Sequence, residues 1–293
     1  MDIDHKILVY FILSINKIII TMGLVSDRQR NETMDFIKIL GYNIRYIKID
    51  QVKSNETIIL LHGIGASAER WSELVPFLYN CNIIIPDIIG FGYSEKPRIE
   101  YNIDLFVKFL DELFLKLEIK NPIIMGSSFG GQLILEYYFR HKDFFKKMIL
   151  VSPAGTQERP TLALRQYTYS CLYPTRENTE RAFKMMSHFN HTVKDSMIKD
   201  FINRMKQPNA KHSFVSTLLA LRKNSDLQDN LREIKIPTLV IWGKEDNTIP
   251  VENIEYFRGI PFVKTCIMSD CGHVPFVEKP LEFYKIVKEF IDS

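Results

Sequence analysis

Cysteine is scarce in this chain of 293 residues, which contains only four. Cys81, Cys171, Cys266 and Cys271 form no C-x-x-C pair, so the sequence predicts neither a zinc site of that kind nor a dense disulfide framework. Structural disulfides belong mainly to oxidising compartments, and a sequence without such a framework is compatible with a reducing cytosol. We therefore expect a cytoplasmic protein.

An excess of charge of one sign is also missing. The chain has 38 basic and 35 acidic residues, a formal net charge of +3, and no concentrated run of Lys and Arg. Proteins that bind nucleic acids usually carry a basic patch or stripe, so the sequence argues against a nucleic-acid partner. The hydrophobic fraction of 46% is typical of a globular protein. The length suits one large domain or a core with an insertion.

Long hydrophobic runs are absent from the N-terminal segment. The apolar run at residues 7–13 is short, and a second one spans only 18–20, whereas a membrane-spanning helix needs roughly 20 residues. Three interpretations of this segment stay open: an interfacial anchor, a poor signal peptide, or a start of translation at Met22 or Met34. We treat residues 1–33 as an N-terminal extension, through which peripheral contact with a membrane surface is left open.

What the sequence does contain is an alternation of strand and helix patterns. Residues 36–40 and 42–50, separated by Gly41, predict an antiparallel hairpin. Short apolar runs rich in Ile and Val are typical of strands buried on both faces of a parallel sheet. They span residues 57–61, 82–85, 122–125, 148–151, 238–242 and 263–268, and helical patterns lie at 102–117, 133–139 and 281–291. This order indicates an α/β fold with a mostly parallel central sheet flanked by helices.

The alternation stops between residues 156 and 236. This stretch is rich in Tyr, Phe, Met and Leu and has helical patterns without a convincing buried strand. We interpret it as a helical lid, or cap, inserted into a core of residues 34–155 and 237–293. Its large apolar residues, such as Tyr167 and Phe183, either line a pocket for an apolar acyl group or join the lid to the core. Its basic residues, Arg204 among them, are expected to form a solvated face.

The strongest chemical signal is the sequence Gly-Ser-Ser-Phe-Gly at residues 126–130, followed by Gly131. It fits G-x-S-x-G and lies between an apolar run and a helical pattern, where this motif forms a sharp turn that exposes its serine. Glycines on both sides let such a turn pack closely against its neighbours. The register places Ser128 at the tip of the turn and Ser127 inside it. We therefore predict that Ser128 is a nucleophile.

A serine hydroxyl needs a base within hydrogen-bond reach, and the sequence offers seven histidines. His273 lies in a loop after the last predicted strand, from which its imidazole can reach the carboxyl edge of the sheet. Asp246 follows the penultimate predicted strand and completes the chain order nucleophile, acid, base. Its carboxylate would fix the tautomer of the imidazole and stabilise the imidazolium. Glu245 is the adjacent alternative acid.

The negative oxygen that forms when a nucleophile attacks a carbonyl needs N–H donors that are already in place. Residues 61–65, Leu-His-Gly-Ile-Gly, follow an apolar run, and their glycines allow the backbone to turn inward. We predict an oxyanion hole formed by the backbone N–H groups of Ile64 and Phe129. His62 would then support the loop without exchanging protons.

Together these motifs resemble the α/β-hydrolase superfamily over residues 35–293. Residues 86–94 look like the loop after the fourth strand of that family, and residues 272–280 look like its histidine loop. The resemblance implies an α/β-hydrolase fold with a triad of Ser128, His273 and Asp246 that requires no metal or organic cofactor.

Within the superfamily, the motifs favour an esterase or lipase-like enzyme whose substrate is a small carboxylic ester. Residues 151–155 and 242–244 look similar to monoacylglycerol-lipase-like and esterase branches. Carbon–carbon bond hydrolases of aromatic degradation share the serine but commonly have Trp after the catalytic histidine, where this chain has Val274. Hydrolysis of a vinylogous diketone by such an enzyme is one alternative, and a small-molecule receptor on the same fold is another.

Overall fold

The computed structural model describes residues 30–51, 56–79, 81–156, 159–188, 191–223 and 227–293. Its strands are β1 (Arg30–Ile39), β2 (Tyr42–Gln51), β3 (Thr57–Leu61), β4 (Asn82–Pro86), β5 (Ile123–Ser127), β6 (Lys147–Val151), β7 (Thr238–Gly243) and β8 (Val263–Met268). They form one sheet in the order β1-β2-β4-β3-β5-β6-β7-β8. β2 pairs with β1 on one side and with β4 on the other in antiparallel fashion, and all other pairs are parallel.

Helices follow most of the parallel strands. They are α1 (Ile103–Lys116), α2 (Phe129–Arg140), α3 (Leu162–Leu172), α4 (Arg176–Met186), α5 (Asp195–Met205), α6 (Ala210–Lys223), α7 (Leu227–Asn230), α8 (Pro275–Glu278) and α9 (Pro280–Asp292). The side chain of Asn102 caps α1 by accepting a hydrogen bond from the N–H of Leu105 at 2.9 Å. The predicted α/β fold, a mostly parallel sheet flanked by helices, is therefore confirmed.

The parallel strands from β3 to β7 are buried on both faces, because helices cover the sheet from both sides. The prediction of burial on both faces is wrong for the run at residues 263–268, because β8 is the edge strand and most of its side chains are exposed or partly exposed. In β3, Ile59 and Leu61 join an apolar cluster that includes residues of α1 and α2. Ile58 and Leu60 point the opposite way and join a second cluster that includes residues of α9. This alternation follows from the two-residue period of a strand. Parallel pairing places the carboxyl ends of β3, β5, β7 and β8 along one edge of the sheet.

The hairpin begins earlier than its apolar pattern predicts. β1 and β2 pair from Arg30 opposite Gln51 to Ile39 opposite Tyr42. The turn has positive φ at both Leu40 (51°) and Gly41 (83°), as a two-residue type I′ turn requires. The predicted extension, residues 1–33, therefore overlaps β1 by its last four residues. The length of this strand is set by backbone hydrogen bonds with β2. Any residue except proline can form these bonds, so the hydrophobic pattern does not show where they begin.

The chain between β6 and β7 carries the helices α3 to α7, which we call the cap helices. The described part of residues 156–236 contains no strand. Tyr167, Phe183, Phe201 and Phe214 of the cap helices belong to the same apolar cluster as the core residue Phe106. The cap helices thus pack on the core, and their action as a lid stays a prediction.

Among the described residues, no helix combines the length and the apolar character that crossing a bilayer requires. The apolar runs at residues 7–13 and 18–20, on which the interpretation as a membrane anchor depends, lie outside the described residues.

Candidate active site

Ser128 occupies a strained turn between β5 and α2. Its φ of 55° and ψ of −116° are unfavourable for a residue with a side chain, and strain of this kind is concentrated at functional sites. The N–H of Ser128 donates to the carbonyl of Val151 on the neighbouring strand at 2.9 Å. The turn is thereby fixed, and the partly exposed serine side chain lines a cavity.

The glycines of this turn are required by close backbone contacts. A Cβ atom on Gly126 would lie 2.5 Å from the backbone of Gly130, and one on Gly130 would lie 2.3 Å from the carbonyl oxygen of Leu61. Both distances are shorter than any non-bonded carbon contact allows. The absence of these side chains lets α2 begin directly against the end of β3, which brings the serine next to the loop that follows β3.

His273 and Asp246 come together from the loops after β8 and β7. The Nδ1 of His273 lies 2.8 Å from Oδ2 of Asp246, and both residues are buried. A carboxylate can only accept, so Nδ1 carries the proton and Nε2 is left as the basic nitrogen. The other carboxylate oxygen, Oδ1, accepts from the N–H groups of Thr248 (2.8 Å) and Ile249 (3.0 Å). His273 is also held through its backbone N–H, which donates to the backbone carbonyl of Met186 in α4 at 2.8 Å.

The neighbouring acids have other contacts. Glu245, the alternative acid, accepts from the backbone N–H of Cys271 at 3.0 Å. Asp270 is exposed and lies 3.3 Å from the ammonium group of Lys279. Cys271 is buried, and burial raises the pKa of its thiol to about 12, so the thiol stays protonated at neutral pH. Of these groups, Asp246 alone forms a hydrogen bond with the imidazole of His273 in the described part of the chain.

The loop after β3 lies against the serine. A Cβ atom on Gly63 would be 3.4 Å from Cβ and 3.9 Å from Oγ of Ser128. In the described part of the chain, the N–H groups of Ile64 and Phe129 donate to no backbone acceptor, so both are available to a substrate oxygen. The structure thus brings together the predicted residues Ser128, His273, Asp246, Ile64 and Phe129, and their catalytic roles stay a prediction.

His62 supports this loop from beneath. Its Nδ1 lies 2.8 Å from the carbonyl oxygen of Gly63, and its Nε2 accepts from the N–H of Ile88 at 3.0 Å. Burial lowers the pKa of the His62 imidazole, which therefore remains neutral with its proton on Nδ1. This is the supporting position expected for it.

Two residues of the cap helices hold the same loop from above. The hydroxyl of Tyr167 donates to the carbonyl of Ile64 at 2.7 Å, and Nη1 of Arg204 donates to the carbonyl of Gly65 at 2.6 Å. Arg204 is only 6% exposed and also bonds Asp200 at 2.9 Å. The expectation that Arg204 belongs to a solvated face is therefore wrong, because its guanidinium pairs with buried oxygens. A signal was present: Arg204 follows Phe201 by three positions, on the buried face of α5.

A cavity of about 1190 Å³ joins these groups. Ile64, Ser128 and His273 line it on the core side, and Phe183 and Met186 of α4 line it on the cap side. Of the apolar cap residues proposed for an acyl pocket, Tyr167 also faces the cavity, whereas Phe214 is buried away from it. In the described ranges, no three His, Cys, Asp or Glu side chains are grouped as metal ligands would be.

Comparison with known proteins gives three findings. A family model described as "alpha/beta hydrolase fold" matches residues 56–280. The 2-hydroxy-6-oxo-6-(2'-aminophenyl)hexa-2,4-dienoic acid hydrolase of Metapseudomonas resinovorans is 27% identical, over 91% of this chain and 94% of the relative. Lipase 3 of Moraxella sp. is 26% identical, over 86% of this chain and 82% of the relative.

A solved structure is similar over nearly its whole length. The meta-cleavage product hydrolase of Pseudomonas fluorescens IP01 aligns with a TM-score of 0.79 and 25% identity. The alignment covers 88% of this chain and 97% of that chain.

Proposed function

Because the chain belongs to the α/β hydrolase fold family, we propose that it is a serine hydrolase with Ser128, His273 and Asp246 as its catalytic triad. The observation that carries this proposal is the buried contact of 2.8 Å between His273 and Asp246, beside a strained Ser128 in the same cavity. In this arrangement His273 is the base, and Asp246 fixes its tautomer.

The relatives support a carbon–carbon bond as the target. The substrate for which the Metapseudomonas enzyme is named has a ketone and an acid group but no ester. Hydrolysis of that substrate therefore breaks the bond between the ketone carbon and a neighbouring carbon. The structural likeness to a meta-cleavage product hydrolase, over 88% of this chain, supports the same class. We take a vinylogous diketone that carries a carboxylate as the substrate class of this protein.

The reaction follows from the geometry in two steps. His273 takes the proton of Ser128 as Oγ attacks the ketone carbon, and the N–H groups of Ile64 and Phe129 receive the negative oxygen. Collapse of this intermediate breaks the carbon–carbon bond, and the electron pair that leaves with the carbon fragment takes the proton from His273. His273 then activates a water molecule, which releases the acyl group from Ser128 as an acid.

Ester hydrolysis, which the sequence motifs favour, is the second candidate. Val274 lines the cavity and occupies the position after His273, at which carbon–carbon bond hydrolases commonly have Trp. The similarity to Lipase 3 points the same way. The same triad and oxyanion hole would serve this reaction, with an alcohol in place of the carbon fragment as the leaving group.

Steady-state kinetics on two substrate series distinguish these candidates. One series consists of 2-hydroxy-6-oxo-2,4-dienoates with methyl or phenyl at the ketone, followed by their loss of absorbance. The other consists of p-nitrophenyl esters from acetate to palmitate. We expect kcat/KM to be at least about tenfold higher for the best dienoate, a difference that corresponds to about 1.4 kcal/mol in the barrier.

Variants of the two neighbouring serines test the triad. Ser128→Ala should lower kcat by about 10⁶-fold on either series. Ser127→Ala removes the adjacent hydroxyl from the same turn and should cost less than about tenfold. A higher kcat/KM for the esters would replace the first candidate with the second. Turnover of neither series, or an active Ser128→Ala variant, would refute the proposed hydrolase.

A further inference from the structure

The charges that line the cavity are almost completely paired. Four carboxylates face it, and each forms an ion pair with a cation, which in the case of Glu69 is shared with Asp87. The pairs are Glu69 with Arg45, Glu73 with Lys194, Asp195 with Lys199, and Asp200 with Arg204. A substrate that enters the cavity therefore meets carboxylates whose charge is already neutralised.

Arg70 is the cation left over from this pairing. It lines the cavity, is partly buried, and forms no ion pair with another described residue. Its guanidinium carbon lies 5.6 Å from the centroid of the Phe183 ring. The charge of Glu278 acts to raise the pKa of Arg70, but no ion pair joins the two side chains, and the carboxylate oxygens accept from the N–H groups of Gly272 and His188.

The position of Arg70 relates it to the reaction centre. It lies in the short 3₁₀ helix Ala68–Trp71, six positions after the oxyanion-hole residue Ile64. It lines the same cavity as Ser128 and His273. A ligand that reaches from Ser128 towards this helix would therefore meet the guanidinium at one end.

An unpaired guanidinium in such a place is costly to the free protein. Removing a charge from water without a counter-ion is unfavourable, and burial accordingly lowers the pKa of Arg70. A carboxylate on the ligand would reverse this, because the planar guanidinium can bind a carboxylate through two parallel hydrogen bonds. The guanidinium of Arg70, which has no ion-pair partner among the described residues, is thus positioned to find one on a substrate.

We propose that Arg70 binds a carboxylate of the substrate and selects for substrates that carry one at a distance from the reacting carbonyl. This inference rests on the proposed function for the identity of the reaction. It specifies the chemical class, namely acids rather than neutral esters or ketones, and it holds whether the bond that breaks is carbon–carbon or ester.

Two matched chromogenic substrates measure this selection. The p-nitrophenyl monoester of glutaric acid and p-nitrophenyl pentanoate have acyl groups with the same number of carbons, and they end in a carboxylate and a methyl group respectively. The quantity measured is the ratio of kcat/KM for the acid over kcat/KM for the neutral ester. In Arg70→Gln this ratio should fall about 10- to 100-fold, the usual effect of losing a hydrogen bond to a charged partner.

Two further variants separate charge from packing. Arg70→Lys keeps the charge without the planar fork, and its ratio should lie between those of the parent and Arg70→Gln. Lys199→Gln also removes one cation from the cavity, but Asp195 keeps Arg176 as a partner, so this variant should retain the parent's ratio. If both substrates lose activity equally in Arg70→Gln, the role of Arg70 is packing against Phe183 and the proposal is overturned.

A binding measurement keeps this test independent of catalysis. Calorimetric titration of the parent and Arg70→Gln with glutarate alone should show binding to the parent that weakens at least about tenfold in the variant. If neither ester is hydrolysed but this difference is seen, ester hydrolysis fails as the second candidate while the anion site stands. If the parent binds glutarate no better than Arg70→Gln does, the anion site fails whatever the kinetics show.

Discussion

The two carboxylate oxygens of Asp246 have different partners, and this difference predicts the behaviour of Asp246→Asn. Oδ1 accepts from two backbone N–H groups, while Oδ2 accepts from Nδ1 of His273. In the variant, the amide oxygen should stay with the two N–H groups, so that the NH₂ group faces the imidazole. The proton of His273 would then move to Nε2, which could no longer accept from Ser128. We expect kcat to fall by about 10⁴-fold with little change in fold, as measured by turnover and circular dichroism.

Glu245→Gln is the matched control for this substitution. Glu245 is the adjacent acid, and its carboxylate accepts from the backbone N–H of Cys271, a bond that the amide oxygen of Gln can also accept. Its kcat should therefore change by less than about tenfold. A large loss in Glu245→Gln together with a small one in Asp246→Asn would make Glu245 the supporting acid.

At the scale of single residues, the proposed triad could be predicted from the sequence, but the contacts of Tyr167 and Arg204 with the loop after β3 could not. A tight serine turn requires glycines, and chain order restricts which histidine and acid can meet it. Tyr167 and Arg204 have backbone carbonyls as their partners, more than a hundred residues away along the chain. A carbonyl is present at every residue, so no side-chain pattern indicates which one a distant donor will bind.

The cap helices connect the substrate cavity to the oxyanion hole. α3 provides the hydroxyl of Tyr167 to the carbonyl of Ile64, and α5 provides the guanidinium of Arg204 to the carbonyl of Gly65. The N–H of Ile64 belongs to the same loop, so a shift of these helices would move an oxyanion donor. If the proposed oxyanion hole is correct, the packing of the cap helices sets the geometry at which the transition state is stabilised.

Tyr167→Phe tests this connection. The change removes one hydrogen bond and leaves the ring in place, so kcat should fall about 3- to 10-fold because the loop is less firmly held. KM should change by less than about twofold, since bound substrate and transition state differ mainly at the oxyanion. Tyr169→Phe on the same helix, where the side chain is exposed, should keep the parent's kcat. An equal loss in both variants, or a loss confined to KM, would argue against a positioning role for the hydroxyl.

Elements whose burial is complete could be predicted closely from the sequence. β3 coincides with the apolar run at residues 57–61, whose last four residues are buried. β1 could not be predicted in the same way, since most of its described side chains are exposed or partly exposed. Its length is determined by hydrogen bonds with β2, and its six residues before position 36 carry no strand pattern of their own.

At the scale of the whole molecule, one buried ionic cluster joins the antiparallel end of the sheet to the loops above it. Arg45 on β2 is 1% exposed and pairs with Asp87 at 3.0 Å and with Glu69. Asp87 also accepts from the backbone N–H groups of Ala68 and Tyr93, each at 2.7 Å. Arg45 is therefore the shared cation of two carboxylates, one of which, Asp87, holds the loops after β3 and β4.

The same cluster links stability to pH. Burial alone would raise the pKa of Glu69, but the charge and hydrogen bond of Arg45 outweigh it and lower that pKa. The unfolded chain then binds more protons than the folded one near the ordinary glutamate pKa, so this contribution rises with pH and is lost as pH falls through the folded pKa. Without Arg45, the burial of Glu69 would act to raise its pKa, opposed only by the hydrogen bonds of Ser67 and the backbone.

Arg45→Met should consequently be destabilising by about 3–5 kcal/mol near neutral pH, because two carboxylates lose their buried cation. Protonation of Glu69 removes one of these uncompensated charges. The difference in free energy of unfolding between the parent and the variant should therefore become smaller as the pH falls from about 8 to about 5. Urea unfolding of the parent and the variant across this range measures it. Arg140→Met is the control, since Arg140 pairs with Asp104 on the surface at 3.1 Å and such pairs contribute at most about 1 kcal/mol. A deficit that stays constant with pH would mean that Arg45 stabilises the fold through packing rather than by neutralising these carboxylates.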